Sequence, residues 1–249
     1  MYMSYLLVDV GGNPDRPRPG RLWLRNLYHV HQRLCMAFPS AERKSADEAF
    51  LKPFKPEEFA AGHVRVTRGQ DVGFLFRLDP QPGGRAVILV QSALEPDWDY
   101  AFHNAGYLLA APPEARASDD RFEEGQRLQF RLLANPTRRL SRHSLGADGQ
   151  PVNPKDVGKR VPVRDDNLCD WLVRQAEGWG IVDTDRTTIQ QGYVCWNKER
   201  DGDGLRLRSV RYDGVLTVTD PAKFREALES GIGSGKGFGF GLLSVAPIR

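Results

Sequence analysis

Two halves of this sequence spell the same order of elements, and that repetition restricts the fold more than any single motif. Residues 5–10 (YLLVDV) form a strand signal, and the GGNPDRPRPG that follows can only be a loop. A helix is expected from the N-cap residue Asn26 to Phe38, where Pro39 stops it. Residues 72–78 and 85–94 are two strands across the turn signal DPQPGG, and a helix or turn opens near Asp97. In the second half, residues 127–134 (RLQFRLLA) alternate as a half-buried strand, and Leu168, Trp171, Leu172 and Gln175 recur at helical spacing. Residues 189–196 and 205–218 flank the hairpin signal ERDGDG, Asp220-Pro221 opens a helix that ends at Gly231, and residues 242–246 are a final apolar strand. Each half is therefore strand, helix, two strands, helix or turn, strand. That order is βαββαβ, so the expected class is α+β, with two tandem ferredoxin-like (RRM-like) domains at 1–122 and 123–249. Residues 39–70 are polar and broken by Pro53 and Pro56, and little is assigned there.

At 249 residues the chain can fill two small cores. Its formal charge of only +3 means that an anionic partner must be held by local patches rather than by the whole surface. One patch is visible: residues 121–164 carry ten Lys/Arg (Arg121, Arg127, Arg131, Arg138, Arg139, Arg142, Lys155, Lys159, Arg160, Arg164) against four acids. Residues 135–164 have little apolar content and are expected to form a long loop, which suits either a solvated surface or an electrostatic track for phosphates. Lys198 and Arg200, at the tip of the 196–205 hairpin, repeat the device on a smaller scale, with Asp201 and Asp203 beside them.

Cys35, Cys169 and Cys195 are odd in number, far apart and without CxxC or CxxH spacing, which argues against both a disulfide framework and a zinc site. The apolar residues 4–10 are too short for a membrane span, carry Asp9 and follow no basic segment, so no signal peptide is expected. The expected location is the reducing cytoplasm, with no membrane partner and no cofactor.

Glycine fills every second position of residues 231–241 (GIGSGKGFGFG), which predicts a strand or extended loop that another backbone can approach closely. This spacing cannot supply GxGxxG, and Lys236 precedes glycine rather than Ser or Thr, so neither the dinucleotide fingerprint nor the phosphate loop of nucleotide hydrolases is present. Residues 236–243 (KGFGFGLL) approach the RNP1 pattern of RNA-recognition sheets. That pattern belongs on an interior strand, whereas only six residues follow Leu243.

Histidine is the first side chain to inspect for acid–base chemistry near neutral pH. On a helical wheel Leu27, Val30, Leu34, Ala37 and Phe38 form one apolar arc, with His31 and Tyr28 at its edge three residues apart, where side chains meet. His29 falls on the opposite face. The residues alone leave two readings of His31 open: a core-edge histidine satisfied by a hydrogen bond, or a general acid or base beside a phenol. His63, His103 and His143 form no metal-ligand spacing.

Several stretches then coincide. YLLVDV, the Tyr28-x-x-His31 helix, LEPDW at 94–98, FRLLANPTRR at 130–139, GKRVPV at 158–163 and GIGSGKGFGFGLLSVAP at 231–247 resemble, in order and over nearly the whole chain, the CasE family of CRISPR-associated endoribonucleases. The resemblance implies tandem ferredoxin-like domains and metal-independent cleavage of the CRISPR repeat RNA hairpin at the base of its stem. The product would be retained alongside other subunits of the Cascade surveillance complex. The family's helix-borne pair maps onto Tyr28 and His31. Its basic RNA contacts map onto Arg138, Arg139, Lys159, Arg160, Lys198 and Arg200, with Lys236 of the glycine run a further RNA-binding candidate. Nothing is carried over to residues 39–70 or 141–157. The competing function on the same fold is a non-catalytic RNA-binding scaffold subunit, which would have no use for the Tyr28/His31 pair.

Overall fold

The computed structural model describes residues 1–13, 15, 18–38, 73–118, 121–143, 150–151, 153–196 and 205–248. Its contacts divide the chain into two units, Met1–Asp120 with Gly237–Gly239, and Arg121–Lys236 with Phe240–Arg249. No helix of the described residues is long and apolar enough to cross a membrane.

The first unit runs β1 (Tyr2–Asp9), α1 (Pro19–Leu24), α2 (Leu27–Cys35), β2 (Phe74–Gln81), β3 (Arg85–Ser92), α3 (Trp98–Phe102) and β4 (Glu114–Ala117). Its sheet is antiparallel in the order β2-β3-β1-β4, the 4-1-3-2 arrangement of a ferredoxin-like unit. Side-chain alternation sets the register: Ser4, Leu6 and Val8 are fully buried, whereas Tyr5 between them is 50% exposed. Leu6 pairs with Ile88 and Ile88 with Leu78, so one apolar row crosses three strands. Onto this face α2 lays Leu27, Val30 and Leu34, and α3 lays Trp98, Ala101 and Phe102. The β2–β3 turn needs Gly83 and Gly84, whose φ angles are 73° and 71°. A Cβ on Gly84 would stand 2.7 Å from the Gly11 carbonyl carbon.

The second unit runs β5 (Arg127–Ala134), β6 (Thr137–Arg139), β7 (Arg160–Pro162), α4 (Leu168–Ala176), β8 (Gly180–Trp196), β9 (Leu205–Val218), α5 (Pro221–Ser230) and β10 (Leu243–Pro247). Its main sheet has the order β10-β5-β9-β8, again antiparallel and again 4-1-3-2 when numbered within the unit. Leu128, Phe130, Leu132 and Ala134 point inward at alternate positions of β5. Tyr212 of β9 is fully buried, stacks on Trp171 with centroids 6.0 Å apart, and donates its hydroxyl hydrogen to the Leu168 carbonyl at 3.1 Å. A buried phenol keeps its place only with such a partner. Burial also raises its pKa, against the opposing pull of Arg208.

The structure differs from the sequence-based expectation at several places, beginning with helix α1, which takes up Pro19 and Gly20 at the end of the stretch expected to be loop. Helix α2 ends at Cys35, three residues early, because residues 36–38 tighten into i→i+3 hydrogen bonds (Ala37 N to Leu34 O, Phe38 N to Cys35 O) that tuck Met36 and Ala37 into the core. Strand β8 begins at Gly180 rather than residue 189, since a register irregularity between Asp183 and Thr188 interrupts the alternation by which a strand is recognised. Residues 135–164 are not structureless, because β6 and β7 pair as a two-stranded arm. Of the two forms expected for the glycine run, the structure takes the loop and not the strand. Gly231, Gly233, Gly235, Gly239 and Gly241 all have positive φ, and Lys236–Phe238 form a single 3-10 turn.

Candidate active site and nucleic-acid interface

Helix α2 is started by its own sequence. The Asn26 side chain accepts hydrogen bonds from the backbone N–H groups of Tyr28 and His29, which the first helical turn would otherwise leave open. Arg33, on the same helix, donates to the Ala101 carbonyl at 3.0 Å and to Asn104 Oδ1 at 3.3 Å, tying α2 to α3. Burial pulls the Arg33 pKa down, partly offset by Tyr107. A helix capped at one end and tied along its length holds its side chains in fixed directions.

Tyr28 and His31 occupy one edge of that helix. Tyr28 is 42% exposed and His31 is half-buried. The imidazole stacks on Phe74, with centroids 5.2 Å apart and planes at 30°, and beyond it on Phe76 at 6.1 Å. Its Nε2 lies 3.7 Å from Cys35 Sγ, one helical turn on. Gly237, which groups with the first unit, completes the enclosure, since a Cβ built on it would come within 3.9 Å of His31 Cδ2 and Nε2. The ring is thus held on its face by Phe74 and at its edge by a thiol, while the neighbouring phenol faces solvent. Imidazole and phenol are groups that can move a proton or hydrogen-bond a bound group; here the His31 Nδ1 is buried and its Nε2 faces the Cys35 thiol.

The other histidines are not so placed. His29 is exposed, with its Nε2 3.3 Å from the capping Asn26 Nδ2, and His103 and His143 are exposed. His63 lies outside the described residues. Among the described residues no group of three His, Cys, Asp or Glu side chains converges on a metal-sized space.

The basic residues are divided by the arm. In its register Arg138 faces Val161, and Arg139 faces Arg160. Directly opposed residues share a face and successive ones do not, so Arg139 and Arg160 project together on one face and Arg138 on the other. Both members of the Arg139/Arg160 pair are exposed, and neither forms an ion pair with a described residue. Like charges set opposite each other on a ladder cost stability, and a bound anion removes that cost. Lys159, just before β7, is partly matched by Asp156, its Nζ lying 2.6 Å from Oδ1. Lys236 donates from Nζ to the carbonyl of Ser230, the last residue of α5, and burial lowers its pKa. In this structure its ammonium therefore serves the helix end. Lys198 and Arg200 lie outside the described residues.

Two groupings of residues are visible only in the structure. Phe74 and Cys35 fix the His31 ring, and the second of them was legible as a residue four positions from the histidine. Arg164 and Arg174 share a cavity with Arg138, and no motif joins them.

A family model described as "CRISPR associated protein" matches residues 1–247. The "CRISPR-associated endoribonuclease Cse3" of Thermus thermophilus is 34% identical over 196 residues, covering 73% of this chain and 85% of that protein. The chain belongs to the CasE family of CRISPR-associated proteins. The "CRISPR system Cascade subunit CasE" of Escherichia coli K12 is 26% identical over 252 residues and spans the whole of both chains. A solved structure of Cse3 bound to a 19 nt RNA resembles this CasE-family chain with a TM-score of 0.66 at 28% identity, covering 99% of this chain and all of the other. The two ferredoxin-like sheets are therefore shared with these relatives.

Proposed function

We propose that this chain is an endoribonuclease that binds the repeat hairpin of a CRISPR precursor RNA and cuts at the base of its stem. It then remains on the product as a subunit of the Cascade complex. The observation that carries the reading is the Tyr28/His31 pair, held on a capped helix by Phe74 and Cys35, in a chain similar to an endoribonuclease solved with RNA.

The chemistry uses the substrate's own hydroxyl. The 2′-oxygen of the nucleotide before the cut attacks the adjacent phosphorus and loses its proton to a base. The bond from phosphorus to the 5′-oxygen breaks, and that oxygen takes a proton from an acid. The products are a 2′,3′-cyclic phosphate and a 5′-hydroxyl. Imidazole, titrating near ~6.5 in its unperturbed form, is suited to either proton transfer, and His31 is assigned to one of them. A phenol is protonated at neutral pH, so Tyr28 is assigned to hydrogen-bonding and orienting the ribose or phosphate. Because the nucleophile is internal and the proton carrier is an imidazole, the step needs no metal-bound hydroxide.

Arg139, Arg160 and Lys159 are assigned to backbone phosphates of the hairpin, and Arg138 to the other face of the arm. Lys198, Arg200 and Lys236 belong to this interface on sequence grounds alone.

A labelled repeat hairpin incubated with the protein in EDTA tests the reading. Cleavage to a cyclic phosphate and a 5′-hydroxyl is expected, and a single 2′-deoxy substitution before the cut should stop it. Continued cutting of the deoxy substrate would sink the mechanism. Tight binding of the all-ribose hairpin without cutting would favour the scaffold function instead.

A further inference from the structure

The second unit contains a cavity of about 680 Å3 that none of the motifs above accounts for. Arg138 of β6 forms one wall, Val163 and Arg164, just past β7, a second, and Asn167, Asp170, Val173 and Arg174 of the α4 region a third. Three guanidiniums against one carboxylate make the lining cationic, and guanidinium is the side-chain group best matched to phosphate oxygens.

The cavity is built rather than incidental. Arg208 of β9, its side chain only 10% exposed, donates to the Val163 carbonyl at 2.5 Å and to the Asp165 carboxylate. That clamp fixes the short segment carrying Arg164 and neutralises the nearby acid. Arg174 is oriented along the helix by its Nε donation to the Asp170 carbonyl at 3.2 Å. Arg164 forms an ion pair with no described residue.

The size selects the ligand. A depression of this volume matches a single small organic molecule or nucleotide rather than the full width of a duplex. Arginine supplies phosphate contacts and a flat guanidinium face, the exposed Val173 supplies apolar contact for a base, and Asn167 and Asp170 supply hydrogen-bonding groups for its edge. These are the components that bind an unstacked ribonucleotide. Strand β6 carries Arg138 to this cavity and Arg139 to the opposite face of the arm, so a stem on one face and a single-stranded flank on the other can be held by the same strand. Resting on the RNA-binding reading above, we propose that this pocket takes one unpaired nucleotide of the RNA flanking the repeat stem, with its phosphate on Arg138, Arg164 and Arg174.

The test compares two hairpins made uncleavable by a 2′-deoxy at the cut, one of stem and loop only and one with its unpaired flanks, bound to the full chain. For the wild type the flanked RNA should bind about tenfold or more tightly, the equivalent of ~1.4 kcal/mol. In the Arg164→Ala/Arg174→Ala double variant that ratio should fall toward one, and the salt slope of the flanked RNA should drop by about two. Arg164→Lys/Arg174→Lys should recover the salt slope but only part of the ratio, because lysine restores charge without the bidentate fork. A ratio unchanged in the alanine variant, or a wild-type ratio of one, overturns the pocket assignment alone. Wild-type protein that binds neither hairpin overturns both this proposal and the RNA reading beneath it.

Discussion

Helix α2 and the β6–β7 arm hold their functional residues by opposite means. On α2 the His31 ring is wedged between Phe74 and the Cys35 thiol, so its direction is set before any ligand arrives. On the arm Arg139 and Arg160 stand exposed and opposed, set in place by backbone pairing alone. Proton transfer depends on placement to within a fraction of an ångström, which packing provides. Phosphate binding depends on charge, which long solvated side chains supply with freedom to adjust. The contrast teaches where substitutions in each region should be felt.

The largest expected effect is at His31. His31→Ala should lower the single-turnover cleavage rate by about 10²–10⁴-fold, the usual worth of a general acid or base, while hairpin affinity stays near that of the wild type. A variant that loses affinity as steeply as rate would break the contrast and return His31 to a structural role. Next comes the arm, where Arg139→Ala/Arg160→Ala should weaken binding and flatten its salt dependence by about one per lost phosphate contact. Affinity titrations at several salt concentrations would reveal this, and an unchanged slope would remove the pair from the interface.

A smaller effect is expected in the glycine run, which belongs to neither mode. Gly241 has φ 90°, and a Cβ there would lie 2.9 Å from the Ile232 carbonyl oxygen. Gly241→Ala should cost about 1–3 kcal/mol in denaturant unfolding, as forced left-handed backbone does. The smallest is the cap. Asn26→Ala should cost about 1 kcal/mol of stability, and because Tyr28 and His31 lie in the first turns, cleavage should fall by more than binding does. Equal losses would mean that α2 is not held as rigidly as its packing suggests.

Much of this was legible in the sequence because it is local. Alternation in 127–134 predicted β5, Asn26 and Asp220 marked helix starts, and Tyr28 and His31 shared a helix edge by spacing alone. The misses share a cause. The early end of α2 depends on tightened hydrogen bonds over residues 36–38, and the extension of β8 back to Gly180 runs through a polar irregular stretch. Neither leaves a periodic signal. Alternating glycines in 231–241 leave strand and loop open, and the positive φ angles decide for the loop, with the close backbone approach at Gly241 that the pattern predicts.

The sequence by itself determined the doubled βαββαβ plan, the helix that carries the histidine and the presence of a basic segment, because periodicity, caps and charge reside in neighbouring residues. Only the tertiary structure decided what surrounds His31 and how the arginines are shared out. Phe74 reaches that ring from a strand far along the chain, and cross-strand register turns Arg138 away from Arg139 towards Arg164 and Arg174. Register and packing are settled by contacts between residues distant in sequence, and a one-residue slip would exchange the two faces of the arm.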